Sequence, residues 1–161
     1  MRYIVYILIS FGFWLLFTFN LSWPNILVGA IVSILTVLLL GKYFIDDVRK
    51  LFQPQRYFWL IIYIIIFTWE CLKANFDVAY RVLHPDLPIK PGIVKVKTTL
   101  KSNIGRTTLA NSITMTPGTI TVDIIDDYIY VHWIYVSTTN PEKYTEKISG
   151  KFEKYIKRIF E

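Results

Sequence analysis

The run LANSITMTPG, residues 109 to 118, places Ser112, Thr114 and Thr116 just ahead of a Thr-Pro-Gly turn. Clustered hydroxyls of this kind suit nucleophilic attack, or they serve the backbone. Attack needs a base within reach, and these residues have no neighbour in sequence to act as one; the only histidines are His84 and His132. A phosphate cradle usually needs several glycines and a lysine, whereas Gly118 stands alone here and Pro117 removes a backbone donor. The reading left is structural: a short helix ends at Thr116-Pro117, Gly118 supplies a permissive turn, and the hydroxyls satisfy backbone ends.

The remaining chemistry-bearing residues are sparse. His84 precedes Pro85 in a linker and His132 falls mid-strand, with no carboxylates at ligand spacing, so no metal is expected. Asp126 and Asp127 are adjacent, which suits a turn better than an acid and base pair. The single cysteine, Cys71, excludes a disulfide framework or an iron-sulfur cluster held by this chain alone, and no cofactor is expected. Glu70 and Lys73, three residues apart near the end of an apolar run, are the best polar membrane contact, paired with each other at the lipid surface. Residues 140 to 161 carry six Lys or Arg and four Glu without a stacking motif. That is a solvated face suited to acidic lipid or another subunit, and nucleic acid is not an expected partner.

The elements that must position these residues are mostly apolar. The chain has 161 residues, 53% hydrophobic, with a net charge of +6, too greasy for an ordinary soluble domain. Tyr3 to Phe19 and Ile26 to Leu40 carry no charge and are joined by Asn20-Leu21-Ser22-Trp23-Pro24, which reads as a hairpin of membrane helices over about 3 to 19 and 25 to 41. No small-residue cleavage site follows the first run, so it is read as retained rather than as a signal peptide. In the connector, Trp23 is suited to the interface and Asn20 and Asn25 to capping backbone ends.

A third apolar helix is expected over 57 to 83, emerging from lipid beyond Trp69 and ended by Pro85 and Pro88. Between the second and third runs, Lys42, Arg49, Lys50 and Arg56 oppose only Asp46 and Asp47, which places this loop on the cytoplasmic side. Three full crossings would then put the C-terminal part outside. Either the third helix crosses incompletely, which respects the four cations, or the N-terminus starts outside and all three cross.

Beyond the HPDLPIKPG linker the period becomes two. Gly92 to Thr99, Thr119 to Ile125 and Tyr128 to Val136 read as strands, the last apolar on both faces as a central strand would be. Helices are expected over Arg106 to Thr114 and from Asn140-Pro141 onward, with Tyr144, Ile148, Phe152, Tyr155 and Ile159 as the apolar stripe of the latter. The fold class is therefore a membrane helical hairpin plus a third apolar helix over 1 to 84. A small α+β domain of order β-α-β-β-α follows over 85 to 161, a truncated ferredoxin-like arrangement with its third strand in the middle and antiparallel to both others.

LANSITMTPGTITVDI (109 to 124), YVHWI (130 to 134) and KANFDVAYRVLHPDLPIKPGIVKV (73 to 96) resemble the E-type subunit of the Mrp-type multisubunit sodium/proton antiporters, over nearly the whole chain. The resemblance implies a non-catalytic accessory subunit in a complex exchanging monovalent cations, chiefly sodium, for protons. It further implies a multi-pass protein of a prokaryotic cell membrane with a cytoplasmic C-terminal domain, with the other antiporter subunits and membrane lipid as partners. Related modules occur in archaeal membrane-bound hydrogenase and sulfur-reducing complexes; the Ile-, Lys- and Tyr-rich composition with two Gln points toward a thermophile, and so toward hydrogenase-type subunits as further partners. Asn111, Thr114, Thr116, Pro117, Gly118 and Thr119 match the family signature as structural or subunit-contact positions. An independent membrane-tethered module binding a soluble ligand is the alternative.

Overall fold

The computed structural model describes residues 2–41 and 53–161. Of the expected cytoplasmic loop, Lys42, Asp46, Asp47, Arg49 and Lys50 lie outside the described residues. The chain forms two compact units, Met1–Phe52 and Gln53–Glu161.

The first unit is the expected hairpin of α1 (Arg2–Thr18) and α2 (Trp23–Leu40). The two helices run antiparallel because Tyr3 lies on Gly41 and Trp14 on Gly29. Along α2, Gly29, Ser33 and Val37 are buried at four-residue spacing, so a row of small side chains lets the two backbones approach closely. A Cβ added at Gly29 would stand 2.3 Å from Trp14 Cδ1. The asparagines of the connector act as expected. Asn20 Oδ1 accepts from the Ser22 amide at 2.8 Å, an exposed backbone end. Asn25 Nδ2 donates to the Asn20 carbonyl at 2.5 Å, and Asn25 also ties the helix ends together: its Nδ2 donates to Thr18 Oγ1 at 3.0 Å, and its Oδ1 accepts from Trp14 Nε1 at 3.2 Å.

The second unit begins with α3 (Pro54–Leu83), then β1 (Gly92–Lys97), α4 (Asn103–Met115), β2 (Thr119–Ile125) and β3 (Tyr128–Trp133). A final helical stretch comprises α5 (Pro141–Thr145), a π-helical turn (Glu146–Gly150) and α6 (Lys151–Phe160). The sheet has the order β1-β3-β2, with β3 antiparallel to both neighbours, as the crossover rule requires. Val94, Val96, Ile129 and Val131 point to one face and join Leu109 and Ile113 of α4 and Ile148, Phe152 and Ile156 of the final stretch in one core.

Local chemistry explains the boundaries. α4 starts at Asn103, earlier than the expected Arg106, because Ser102 Oγ caps it by accepting from the Gly105 amide at 3.2 Å. Arg106 is then free to clamp the hairpin, donating to the carbonyls of Leu100 and Asp126 at 2.7 Å each and to Asp127 Oδ1 at 2.7 Å. Asp126 takes the positive φ of 52° that a tight turn demands. β3 ends at Trp133 rather than Val136, since Ile134 hands its amide to the Gly118 carbonyl and its own carbonyl to Lys90. Although β3 is central, only one of its faces is buried. On the other, Tyr128 and Tyr130 are half-buried and His132 is exposed, with Lys95 Nζ 3.8 Å from the Tyr128 ring centroid.

One position of the expected stripe changes within α6. Ile148, Phe152, Ile156 and Ile159 are buried, whereas Tyr155 lies half-buried against Trp59 with ring centroids 6.4 Å apart. The third helix starts at Pro54, three residues before the expected Tyr57 (57 − 54 = 3), because proline fits the first helical turn.

Candidate functional site

The Thr-Pro-Gly turn sits where α4 delivers the chain to β2. Its hydroxyls are committed to the backbone: Thr116 Oγ1 donates to the Ser112 carbonyl at 2.8 Å, and Thr119 Oγ1 to the carbonyls of Ile113 and Thr116 at 2.6 and 2.9 Å. Thr114 Oγ1 accepts from the Thr121 amide at 3.1 Å, stitching the helix to the first residues of β2. Ser112 Oγ donates to the Thr108 carbonyl and meets the hydroxyl of Tyr63 from α3. Asn111 faces outward. Gly118 has φ 87°, and a Cβ there would stand 2.9 Å from Ile134 Cγ2 and 3.3 Å from Val78 Cγ2, so glycine answers both a backbone and a packing demand.

α3 runs beside this turn. Glu70, expected to pair with Lys73, does so and also meets Lys151 Nζ at 3.0 Å, bridging α3 to α6. The Glu70 side chain is 17% exposed against 53% for Lys73, so the link to Lys151 is the more sheltered of the two. Two helical turns further, Asp77 holds Arg81 through two bonds of 2.8 and 3.0 Å. Arg81 also donates to the Pro88 carbonyl at 2.7 Å and lies 4.0 Å over the Tyr135 ring, anchoring the linker after α3.

These features enclose a cleft of about 120 Å³ lined by Asp77, Thr116, Pro117, Thr119, Lys147 and Lys151 among others. The structure thus brings Thr116, Pro117 and Thr119 of the signature opposite α3, with Lys151 shared between the cleft and Glu70. Asn111 and Lys73 stand at its outside, exposed. His84 ends α3, where its Nδ1 accepts from the Asp86 amide, and His132 is on the outer sheet face; neither lines the cleft. What this arrangement can do chemically is hold helices together through ammonium-carboxylate contacts.

The profile of the family described as Na+/H+ ion antiporter subunit matches residues 7–159. The chain belongs to this antiporter family, among its E-type members. It is 36% identical to the E-type Na(+)/H(+) antiporter subunit of Alkalihalophilus pseudofirmus over 148 residues, covering 91% of this chain and 90% of that one. It is 33% identical to the E1-type subunit of Staphylococcus aureus over 156 residues, covering 92% and 91%. A chain in the solved structure of the membrane-bound sulfane sulfur reductase, an archaeal respiratory membrane complex, is 43% identical and superposes with a TM-score of 0.80 over 99% of both chains.

In this E-type antiporter chain, sequence reasoning finds the turn and the Glu70–Lys73 pair but misses Lys151, Tyr63 and Arg56. Lys151 is 81 residues from Glu70, beyond any helical spacing rule. Arg56, expected as one of four loop cations, donates instead to the carbonyls of Ile159 and Glu161. Its one signal in sequence is its place at the start of a helix that is otherwise apolar for thirteen residues, Tyr57 to Trp69.

Proposed function

We propose that this chain is a non-catalytic accessory subunit of a monovalent cation/proton antiporter module, assembled with the other subunits of that module in a prokaryotic cell membrane. The observation that carries the reading, beside family membership, is the hairpin. From Tyr3 to Gly41 it presents no acidic or basic side chain, so the charged groups of an ion path must come from other chains. Its large apolar residues, Phe13, Phe17, Ile31, Leu35 and Leu38 among them, point outward and need lipid or neighbouring helices around them. The hairpin crosses the membrane twice, and the α+β domain over 85 to 161 lies in the cytoplasm. Sodium is the cation this reading assigns, after the names of the relatives.

The 43% identity to a chain of the sulfane sulfur reductase favours a second setting, the same module built into a respiratory complex. In either setting the chain has no catalytic residue of its own. Deleting it from an otherwise intact operon should abolish sodium-dependent proton exchange in everted membrane vesicles and release neighbouring subunits during purification. Full exchange by the complex without it, or exchange by this chain alone in liposomes, overturns the reading.

A further inference from the structure

We propose that α3 does not cross the bilayer but lies lengthwise in the headgroup interface, with the side facing away from the α+β domain resting on anionic lipid. By length and composition α3 is apolar enough to span. Its packing points elsewhere. One side of it packs on its own unit from end to end: Trp59 lies against Tyr155, Tyr63 meets Ser112, the Phe67 ring lies tilted 5.9 Å from that of Phe152, Glu70 binds Lys151, and Arg81 lies over Tyr135. The domain therefore sits alongside the helix, not at one end of it. Threading α3 through hydrocarbon would carry in the exposed charges of α6, Lys154, Lys157 and Arg158; Lys154 and Arg158 meet aromatic rings, and among the described residues none of the three meets a carboxylate.

The opposite side is uncharged for its whole length. Phe58, Ile61, Ile65, Trp69, Leu72 and Phe76 are all exposed, and at 100° per residue they fall within roughly 40° of one line along the helix. The five charged residues of α3, Arg56, Glu70, Lys73, Asp77 and Arg81, all fall about 80° or more from that line. A long helix with an aromatic and aliphatic stripe bordered by charge is built to lie in the interface plane. Lys73 is exposed beside this stripe, about 80° from its line. A basic group at that depth is drawn to anionic headgroups, which selects lipid over an apolar protein face as the occupant. The chain also reaches α3 directly from the apolar α2, through residues 41 to 53 only.

The proposal rests on the chain being a membrane protein of its complex and not on its accessory role. Nitroxide labels would be placed at Phe58→Cys, Ile61→Cys, Ile65→Cys, Leu72→Cys and Phe76→Cys in a Cys71→Ser background. The full chain is then reconstituted in vesicles of phosphatidylcholine and phosphatidylglycerol at three to one. Relaxation by oxygen and by a nickel chelate should place all five labels at one shallow depth, about 5–10 Å below the phosphates. Depth rising to a maximum at the middle of the helix would mean a span, and free access of nickel would mean a solvated face; either overturns the proposal. In the assembled complex, photocrosslinkers at Phe58, Ile65 and Phe76 should yield lipid adducts. Adducts to another subunit at all three would reject lipid as the occupant, while leaving the exchange experiment above untouched.

Discussion

At Gly29 a hydrogen is all the structure allows, because Trp14 fills the space in which any Cβ would stand. Gly29→Ala should therefore loosen the hairpin by about 1–3 kcal/mol, the usual cost of overpacking. Thermal dissociation of the purified complex measures it, and an unchanged midpoint would contradict the close helix contact. Gly118→Ala meets two obstacles, a positive φ and Ile134, and should likewise lower stability by about 1–3 kcal/mol. Around Glu70 the two lysines are unequal. Lys151→Ala should destabilise more than Lys73→Ala, by an amount near the upper end of the roughly 0–1 kcal/mol typical of partly exposed pairs, because Lys73 is mostly in solvent. Chemical unfolding of the two variants decides the order. The turn and the Glu70–Lys73 pair were legible in sequence because each is local. The Lys151 partner was not, since only the tertiary fold brings residues so far apart in sequence into contact.

The elements followed their periods. The alternation of Val94 and Val96, the Asp126-Asp127 turn and the central place of β3 could all be read from side-chain order. Ends were less legible, as caps and long-range bonds decide them: Ser102 lengthens α4, and the bonds of Ile134 shorten β3. The final helix shows where a stripe read from sequence is ambiguous. After Phe152 both i+3 and i+4 are apolar, and the fold buries Ile156 while Tyr155 lies half-buried against Trp59. Ile156→Ala should cost about 2–5 kcal/mol, while Tyr155→Ala, at a half-buried site, should cost clearly less. Equal losses in denaturant titrations of the two variants would argue against this placement of Ile156 in the core.

For the whole molecule, hydropathy identifies α1, α2 and α3 as one class, yet α1 and α2 pack on each other while α3 packs with the sheet unit. Sequence could not separate them, because an apolar side chain reads alike whether it meets lipid or a protein core; only the contacts of Tyr63 and Phe67 reveal the difference. The same scale decides what the hydroxyls are for. Thr116→Val removes the bond to the Ser112 carbonyl and should reduce the yield of assembled complex, with sodium/proton exchange per complex unchanged. Exchange lost in complexes that assemble at normal yield would restore a chemical role to that turn.

The sheet has three strands and therefore two open edges, and a chain awaiting assembly is exposed to unwanted pairing along both. On β2 the register slips between Thr121 and Asp123, so Val122 stands outside the ladder and the edge is bent where another chain would have to dock. On β1, Lys95 and Lys97 set a positive charge at every second position. Two copies meeting edge to edge would bring a kinked ladder or facing lysines together, and either arrangement disfavours pairing of two such sheets.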